Sequence, residues 1–338
     1  MKLYGGIDLH SNNHVIVLID EHDQVVYQKR LPNSLDTTLS ALKPFQKGIV
    51  SLAVESTYNW YWLVDGLMDH QYPVQLVNTL AVKQYDGLKH QNDHTDAFHL
   101  AHLMRLGILP CGYIYPKADR GLRDLLRKRM QLVQQRTLNL LSLKSNLTRQ
   151  LALTVKAHTI KQWMSQGLPQ WNLDPTIVFA LQSNLSVMKT VDQYIEAIEH
   201  KVKLALKSSS SLTLLQSVNG IGDVLGMMIL LETGDIARFD KVGRFASYCR
   251  CVNATRESNG KSKGQGNRKN GNKFLAWAFV QAAHSCVRYC PEAKRYYQKK
   301  KRKTNTPVAT KAVAHKLARA CFYILRDKTT FDPSRCFA

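Results

Sequence analysis

Four acids, Asp8, Glu55, Asp93 and Asp96, are the residues whose types and spacing could do chemistry. Asp8 sits in Tyr4-Gly5-Gly6-Ile7-Asp8-Leu9-His10-Ser11, a short apolar run that reads as a strand carrying one carboxylate to its end. The run Ile49–Val54 ends in Glu55. Asp93 and Asp96 stand three residues apart where Asn92-Asp93-His94-Thr95-Asp96-Ala97 opens a predicted helix, and so share a face. Two acids at strand ends and two on one helical face can converge on hard divalent cations, which take oxygen ligands. Each acid also has a plainer reading. An Asp after a strand serves as a turn residue or a cap, Asp93 can cap the helix it begins, and Glu55 before Ser56-Thr57 can do the same. Singly the two readings balance; taken in order, the set favours a site.

The elements that must position these acids are legible around them. Val15–Asp20 and Gln24–Gln28 read as two further strands, separated by hairpin-sized gaps rich in Asn, His and Asp. Leu35–Leu42 has helical spacing with Asn33 or Ser34 as cap. Trp60, Leu63, Val64 and Leu67 mark a helix that also accounts for most of the aromatic set Tyr58, Trp60, Tyr61 and Trp62 as core packing. Pro73–Val77 is another strand, and the helix from about Asp93 turns Ala97, Leu100, Ala101, Leu103 and Met104 inward before Gly107 and Pro110 stop it. Three strands, a strand ending in Glu and a helix bearing two acids follow the chain order of the ribonuclease-H-like nuclease fold, here over residues 1–115.

At 338 residues the chain has room for two or three domains. Its formal charge of +22 points to a polyanionic partner, most simply DNA or RNA, with a membrane surface as the competing reading. No long charge-free apolar segment, signal-peptide pattern or lipidation motif supports the membrane, so a cytoplasmic protein is expected. The seven scattered cysteines lack zinc-site spacing and read as reduced thiols.

Residues 116–208 change character. Leu126, Val133, Leu140 and Leu147 recur every seven residues, then Leu181, Met188, Ile195 and Val202 do so after a break at Gly167, Pro169 and Pro175. Two long antiparallel helices forming a coiled-coil arm are expected, for dimerisation or spacing, with an internal helical bundle as the alternative. Ser208–Ser211 reads as a flexible joint.

Residues 209–338 read as mainly α-helical. Val218-Asn219-Gly220-Ile221-Gly222 before an apolar helix suggests a helix-hairpin-helix-like turn, in which Gly220 and Gly222 let backbone N–H groups approach a phosphate; a tight interhelical turn explains it equally. Residues 252–273 show no hydrophobic period and are expected to be a loop. Between residues 255 and 303 fourteen Lys and Arg face two acids, Glu257 and Glu292. Arg256, Lys261, Lys263, Arg268, Lys269 and Lys273 are candidate nucleic-acid contacts, and the loop holds two hydroxyls, Ser258 and Ser262, whose plain reading is as turn or cap residues. Lys299–Lys303 is a generic basic tract.

Over essentially its whole length the chain resembles the insertion-sequence one-ten family of transposases, which includes the Piv-type DNA invertases. The carriers are Gly6-Ile7-Asp8, Val54-Glu55-Ser56-Thr57, Asp93-His94-Thr95-Asp96-Ala97, Val218–Gly222, and Arg256-Glu257-Ser258 through Lys269-Asn270-Gly271-Asn272. The resemblance implies a RuvC-like domain with an Asp-Glu-Asp-Asp tetrad, a coiled-coil arm, and a C-terminal transposase domain with a nucleophilic serine. Carried over, the tetrad is Asp8, Glu55, Asp93 and Asp96, and the serine is Ser258. The family pattern reads Ser-Gly; here Asn259 precedes Gly260, which leaves Ser262 as runner-up.

A serine hydroxyl is a weak nucleophile near neutral pH, and phosphodiester transfer needs charge neutralised at phosphorus. Two Mg²⁺ ions about 3.5–4 Å apart, with Mn²⁺ as substitute, meet both needs. The resemblance further implies a covalent phosphoserine–DNA link, donor and target DNA, a noncoding bridge RNA that pairs with both, and a homo-oligomer, a dimer or a synaptic tetramer, in which serine and tetrad come from different subunits. Two other functions compete: a RuvC-like metal-dependent nuclease using water, against which the long second half argues, and a silent nucleic-acid scaffold, which has no use for four acids.

Overall fold

Val15, Ile16, Val17, Leu18 and Ile19 are all fully buried because their strand is covered on both faces. In this computed structural model, which describes residues 1–82, 92–252, 255–265 and 270–338 (255–258 and 262–265 as backbone only), the chain forms two compact units, Met1–Lys117 and Ala118–Ala338.

The first unit is built on β1 (Leu3–Leu9), β2 (Asn13–Ile19), β3 (Val25–Pro32), β4 (Ile49–Glu55) and β5 (Val74–Val77), in the sheet order β3-β2-β1-β4-β5. β1 to β3 form an antiparallel meander, and β4 and β5 are added parallel to β1. Ile7 pairs with Val54, so the ends of β1 and β4 bring Asp8 and Glu55 to the same edge. One face packs on α1 (Leu35–Leu42) and α2 (Tyr61–Asp69) through Ile7, Leu9, Ile16, Leu18, Leu52, Leu63 and Leu67. Ser34 caps α1 by accepting from Thr37 N. Beyond a short turn, α3 (Thr79–Val82), comes α4 (Asp93–Arg105), which lays Ala97 and Ala101 on the other face, against Val15, Val17 and Ile19. Gly6 permits this close approach: a Cβ there would stand 1.8 Å from the Ala97 carbonyl oxygen.

The second unit begins with α5 (Lys117–Leu151) and α7 (Pro175–Ala205), either side of α6 (Ala157–Gln166). Apolar residues bury along both long helices, Leu143, Leu147, Leu181, Leu185 and Met188 in one cluster and Leu132, Val191 and Ile195 in another, while the heptad members Val133 and Leu140 are only half-buried. Ion pairs fix the register. Arg129 meets Glu199 at 2.7 Å and Arg136 meets Asp192, so one step of seven forward on α5 is seven back on α7: the two run antiparallel. The expected break at Gly167, Pro169 and Pro175 separates α7 from α6, which Gly167 ends and whose buried Ile160 joins the leucine cluster.

The serine run proves structured: Ser209 Oγ accepts from Leu212 N and starts α8 (Ser210–Gln216), so a hydroxyl cap replaces the expected flexible joint. α9 (Asp223–Thr233), α10 (Val242–Tyr248), α11 (Lys273–Tyr289), α12 (Pro291–Lys303), α13 (Thr306–Asp327) and α14 (Pro333–Phe337) follow. Phe245, Phe279, Ala282, Leu317 and Phe322 centre their core, which Leu126 of α5 and Val202 of α7 also enter. No described helix is long and apolar enough to cross a membrane.

The segment expected to be a loop contains a hairpin, β6 (Thr255–Ser258) with β7 (Lys261–Gln265). Asn259 and Gly260 turn it with φ of +53° and +68°. Asn-Gly is the favoured sequence for such a two-residue turn, because both residues tolerate the left-handed region. A hairpin of polar sequence has no hydrophobic alternation to reveal it.

Candidate active site

Asp8 reaches its position as the sixth residue of β1, 4% exposed under α4. The plainer capping readings of the other acids fail locally. Asn92, not Asp93, caps α4: its Oδ1 accepts from His94 N and Thr95 N while Thr95 Oγ1 accepts from Asn92 N. Such a cap stabilises a helix by about 1 kcal/mol. Glu55 caps nothing either, since α2 starts six residues later behind Trp60.

Glu55 and Asp93 gather at Asp8, and Asp96 lies near enough to act on Glu55 by its charge, though only Asp8 and Asp93 of the four, with His10, form the tight donor cluster. The Glu55 carboxyl shares a hydrogen bond with Asp8 and feels the charge of Asp96. Burial, then these neighbours, push Glu55 up to about 8, so one proton stays in the cluster at neutral pH. Asp93 joins through His10, whose Nε2 lies 3.3 Å from Asp8 Oδ2 and 3.2 Å from Asp93 Oδ2. Both are close contacts that miss hydrogen-bond alignment. The Arg30 guanidinium, 2.5 Å from Asp93 Oδ2, and His10 hold the Asp93 carboxyl below its ordinary range.

A divalent cation fits this donor set. Asp8, His10 and Asp93 each offer one ligand atom, all within 4.8 Å of one another. The upward push on Glu55 from Asp8 and Asp96 is a sign of the negative charge gathered here, which a divalent cation would neutralise.

Sequence reasoning missed His10 and Arg30. His10 carried a weak signal, since it follows Asp8 by two residues just past the end of β1. Arg30 carried none, because its partner is sixty-three residues away.

In the second unit the β6–β7 register sets Ser258 opposite Lys261 and Ser262 opposite Glu257. Ser258 is thus the last paired residue before the turn, and Asn259, which interrupts the Ser-Gly pattern, is itself a turn residue. Arg256 and Lys263 lie on the two strands, Lys261 is exposed just past the turn and Lys273 opens α11. Arg268 and Lys269 lie outside the described residues. Gly220 has φ +98° and packs on α11, where a Cβ would meet Cys286 N at 2.6 Å; Gly222 precedes α9 with open space beside it.

One further group went unread. Glu232 is 0% exposed in α9. Arg127 Nε and Nη2 donate to its two oxygens at 2.6 and 2.8 Å, and Asn272 Nδ2 donates at 2.7 Å. Its signal was a lone acid closing the apolar run Met227–Leu231.

Comparison with known proteins agrees with these two halves. A transposase family profile of the IS110 type, with the DEDD signature, matches residues 5–152, and the profile "Transposase IS116/IS110/IS902 family" matches residues 212–298. The chain belongs to the IS110 family of transposases. It is 24% identical over 159 residues to an uncharacterised 43.6 kDa protein of insertion element IS110 from Streptomyces coelicolor, covering 46% of this chain and 39% of that protein. It is 23% identical over 145 residues to a 44.8 kDa protein of insertion element IS116 from Streptomyces clavuligerus, covering 43% and 36%. The matched stretches thus span well under half of these relatives. For an IS110 transposase, the DEDD-type first half indicates a RuvC-like fold and divalent-metal use.

Proposed function

We propose that this IS110-family chain is a site-specific recombinase that cuts and rejoins DNA strands through a phosphoserine link. The observation that carries the reading is the gathering of Asp8, Glu55, Asp93 and Asp96 at one edge of the first unit. Those four residues would hold Mg²⁺, two ions per site, with His10 beside them. Bound there, Mg²⁺ or Mn²⁺ would neutralise charge at the phosphate and sharpen an oxygen nucleophile.

Ser258 supplies the nucleophile in this reading. Its Oγ–P bond forms as the P–O bond to the departing sugar oxygen breaks; the serine proton leaves to solvent and the sugar oxygen takes one up. Reversal on a second strand restores the serine, so the number of phosphoester bonds is conserved and rejoining needs no external energy source. The Glu257-Ser258 context, which matches the family pattern, supports it over Ser262. The cations of the hairpin and of α12 suit phosphate backbones of donor and target DNA. A bridge RNA choosing the sites agrees with a chain whose sequence has no evident base-reading motif. The α5–α7 pair, read as a coiled-coil arm between domains 1–115 and 209–338, suits an oligomer in which one copy's serine serves another's tetrad.

The test is alanine substitution at Asp8, Glu55, Asp93 and Asp96 in turn, with DNA cleavage, strand joining and RNA binding measured on each. Cleavage and joining should vanish while RNA binding stays within about twofold. Strong cleavage by Asp96→Ala would remove it from the metal set.

A further inference from the structure

The described residues that flank the β6–β7 hairpin segment, Arg250-Cys251 and Gly271-Asn272, meet in a base that the recombination chemistry proposed above does not explain. On one side Cys251 N donates to Ala246 O at 2.9 Å, and Lys311 Nζ to Arg250 O at 2.9 Å. On the other, Asn272 N donates to Tyr248 O at 2.6 Å, and Gly271 O accepts from Arg250 Nε and Nη2 at 3.0 and 2.8 Å. Gly271 has φ +88°, and a Cβ there would stand 2.4 Å from Tyr248 O, so no other residue fits. The two ends of the hairpin segment are therefore tied to each other and to the end of α10.

Asn272 does two jobs at this base. Its Oδ1 accepts from Phe274 N and Leu275 N, capping α11, and its Nδ2 donates to the buried Glu232. Glu232 is held in turn by the bidentate Arg127, whose guanidinium also lies 4.6 Å from the centre of the Phe274 ring. A single fully buried carboxylate thus joins α5, α9 and the start of α11. A buried ion pair is a poor means of gaining stability, because desolvation offsets its attraction; its use is to allow one arrangement and reject others.

We propose that Glu232 is a positioning residue for the hairpin that carries Ser258, fixing the Asn272 end of that segment through one hydrogen bond while Arg127 fixes Glu232 itself. The proposal rests on the phosphoserine reading. Glu232 never touches substrate; it sets where the hairpin stands. Because Arg127 belongs to α5, a shift of that long helix would be felt at the hairpin base.

The test keeps the cap and breaks only the one bond. Asn272→Asp still caps α11 but turns a carboxylate toward Glu232. Glu232→Gln combined with Asn272→Asp restores a donor facing an acceptor. Adduct formation is measured at saturating DNA with full-length protein, its RNA and Mg²⁺, well below each unfolding midpoint. Hydrogen exchange of the hairpin amides is followed in parallel. Asn272→Asp should slow adduct formation well over tenfold with DNA affinity unchanged and speed hairpin exchange; the double variant regains this bond but gives up the Oε2 acceptor of Arg127 Nη2, and should recover both to the three- to tenfold deficit that loss of the bidentate hold alone brings. Should Asn272→Asp not fold, Arg127→Lys, which keeps the charge but loses the bidentate hold, should slow the step three- to tenfold. Wild-type rate and exchange in the folded single variant overturn the proposal, as does a deficit that disappears once corrected for folded protein. A wild-type protein that makes no adduct defeats the phosphoserine reading instead, and the exchange comparison then decides the positioning role alone.

Discussion

Gly6 and Ala97 are in backbone contact: a Cβ on Gly6 would fall 1.8 Å from the Ala97 carbonyl oxygen and 2.9 Å from Ala101 N. No side chain can yield there, so Gly6→Ala must push α4 off β1. Overpacking typically costs about 1–3 kcal/mol, and displacing α4 carries Asp93 and Asp96 away from Asp8. Chemical denaturation should show a loss at or above that range, and Mn²⁺ titration a loss of at least tenfold in affinity. Wild-type metal affinity in a folded Gly6→Ala protein would contradict this geometry.

Glu55 makes the metal-free site pH-dependent. Its pKa in the fold is raised from 4.5 to about 8. The folded state therefore holds a proton that the unfolded chain has lost, and stability falls as pH rises from about 4.5 to about 8. Metal must displace the same proton, so affinity should climb over the upper part of that window. Calorimetry at pH 7 in two buffers of different ionisation heat should find about one proton released per site. Glu55→Gln should abolish that release and flatten the stability profile; unchanged release would assign the proton elsewhere.

Arg30 acts as a resident cation. Its guanidinium holds Asp93 Oδ2 at 2.5 Å, the same oxygen that His10 approaches, and Nη1 donates to Asn13 Oδ1 at 2.8 Å. A divalent ion entering the cluster meets this positive charge. Arg30→Gln should tighten Mn²⁺ binding roughly three- to tenfold, a change of about 1 kcal/mol. Weaker binding in the variant would mean that Arg30 orients Asp93 for the ion rather than competing with it.

Salt should separate backbone contact from base reading. If the hairpin and the exposed end of α12, Lys299 to Lys303, track phosphates, log affinity for duplex DNA should fall with log salt at roughly −0.9 per phosphate neutralised. Changing Lys261 or Lys273 to Ala should each flatten that slope by about one contact without altering site choice. A slope that does not move would place those lysines away from DNA.

Much of the first unit was legible because its signals are local. Asp8 and Glu55 stand at the ends of apolar strands, and Asp93 and Asp96 share a helical face, so their spacing suggested that they meet. The α5 and α7 leucines were legible for the same reason. What stayed hidden depends on partners distant in sequence. Arg30 meets Asp93, and Glu232 meets Arg127 and Asn272, with no period to betray either. The β6–β7 hairpin hid in a polar stretch where Asn259-Gly260 was its one turn signal, and Ser209 looked like linker because a capping serine and a linker serine are the same residue to a composition count.

The most direct test of the account is a trapping assay. Protein, Mg²⁺, its flanking noncoding RNA and labelled donor and target DNA are combined, and covalent protein–DNA adduct is read on a denaturing gel for wild type, Ser258→Ala and Ser262→Ala. The account predicts an adduct that disappears with Ser258→Ala and persists with Ser262→Ala. The reverse pattern would move the nucleophile to the other strand of the hairpin, and cleavage with no adduct in any sample would contradict the serine mechanism and leave a nuclease that uses water.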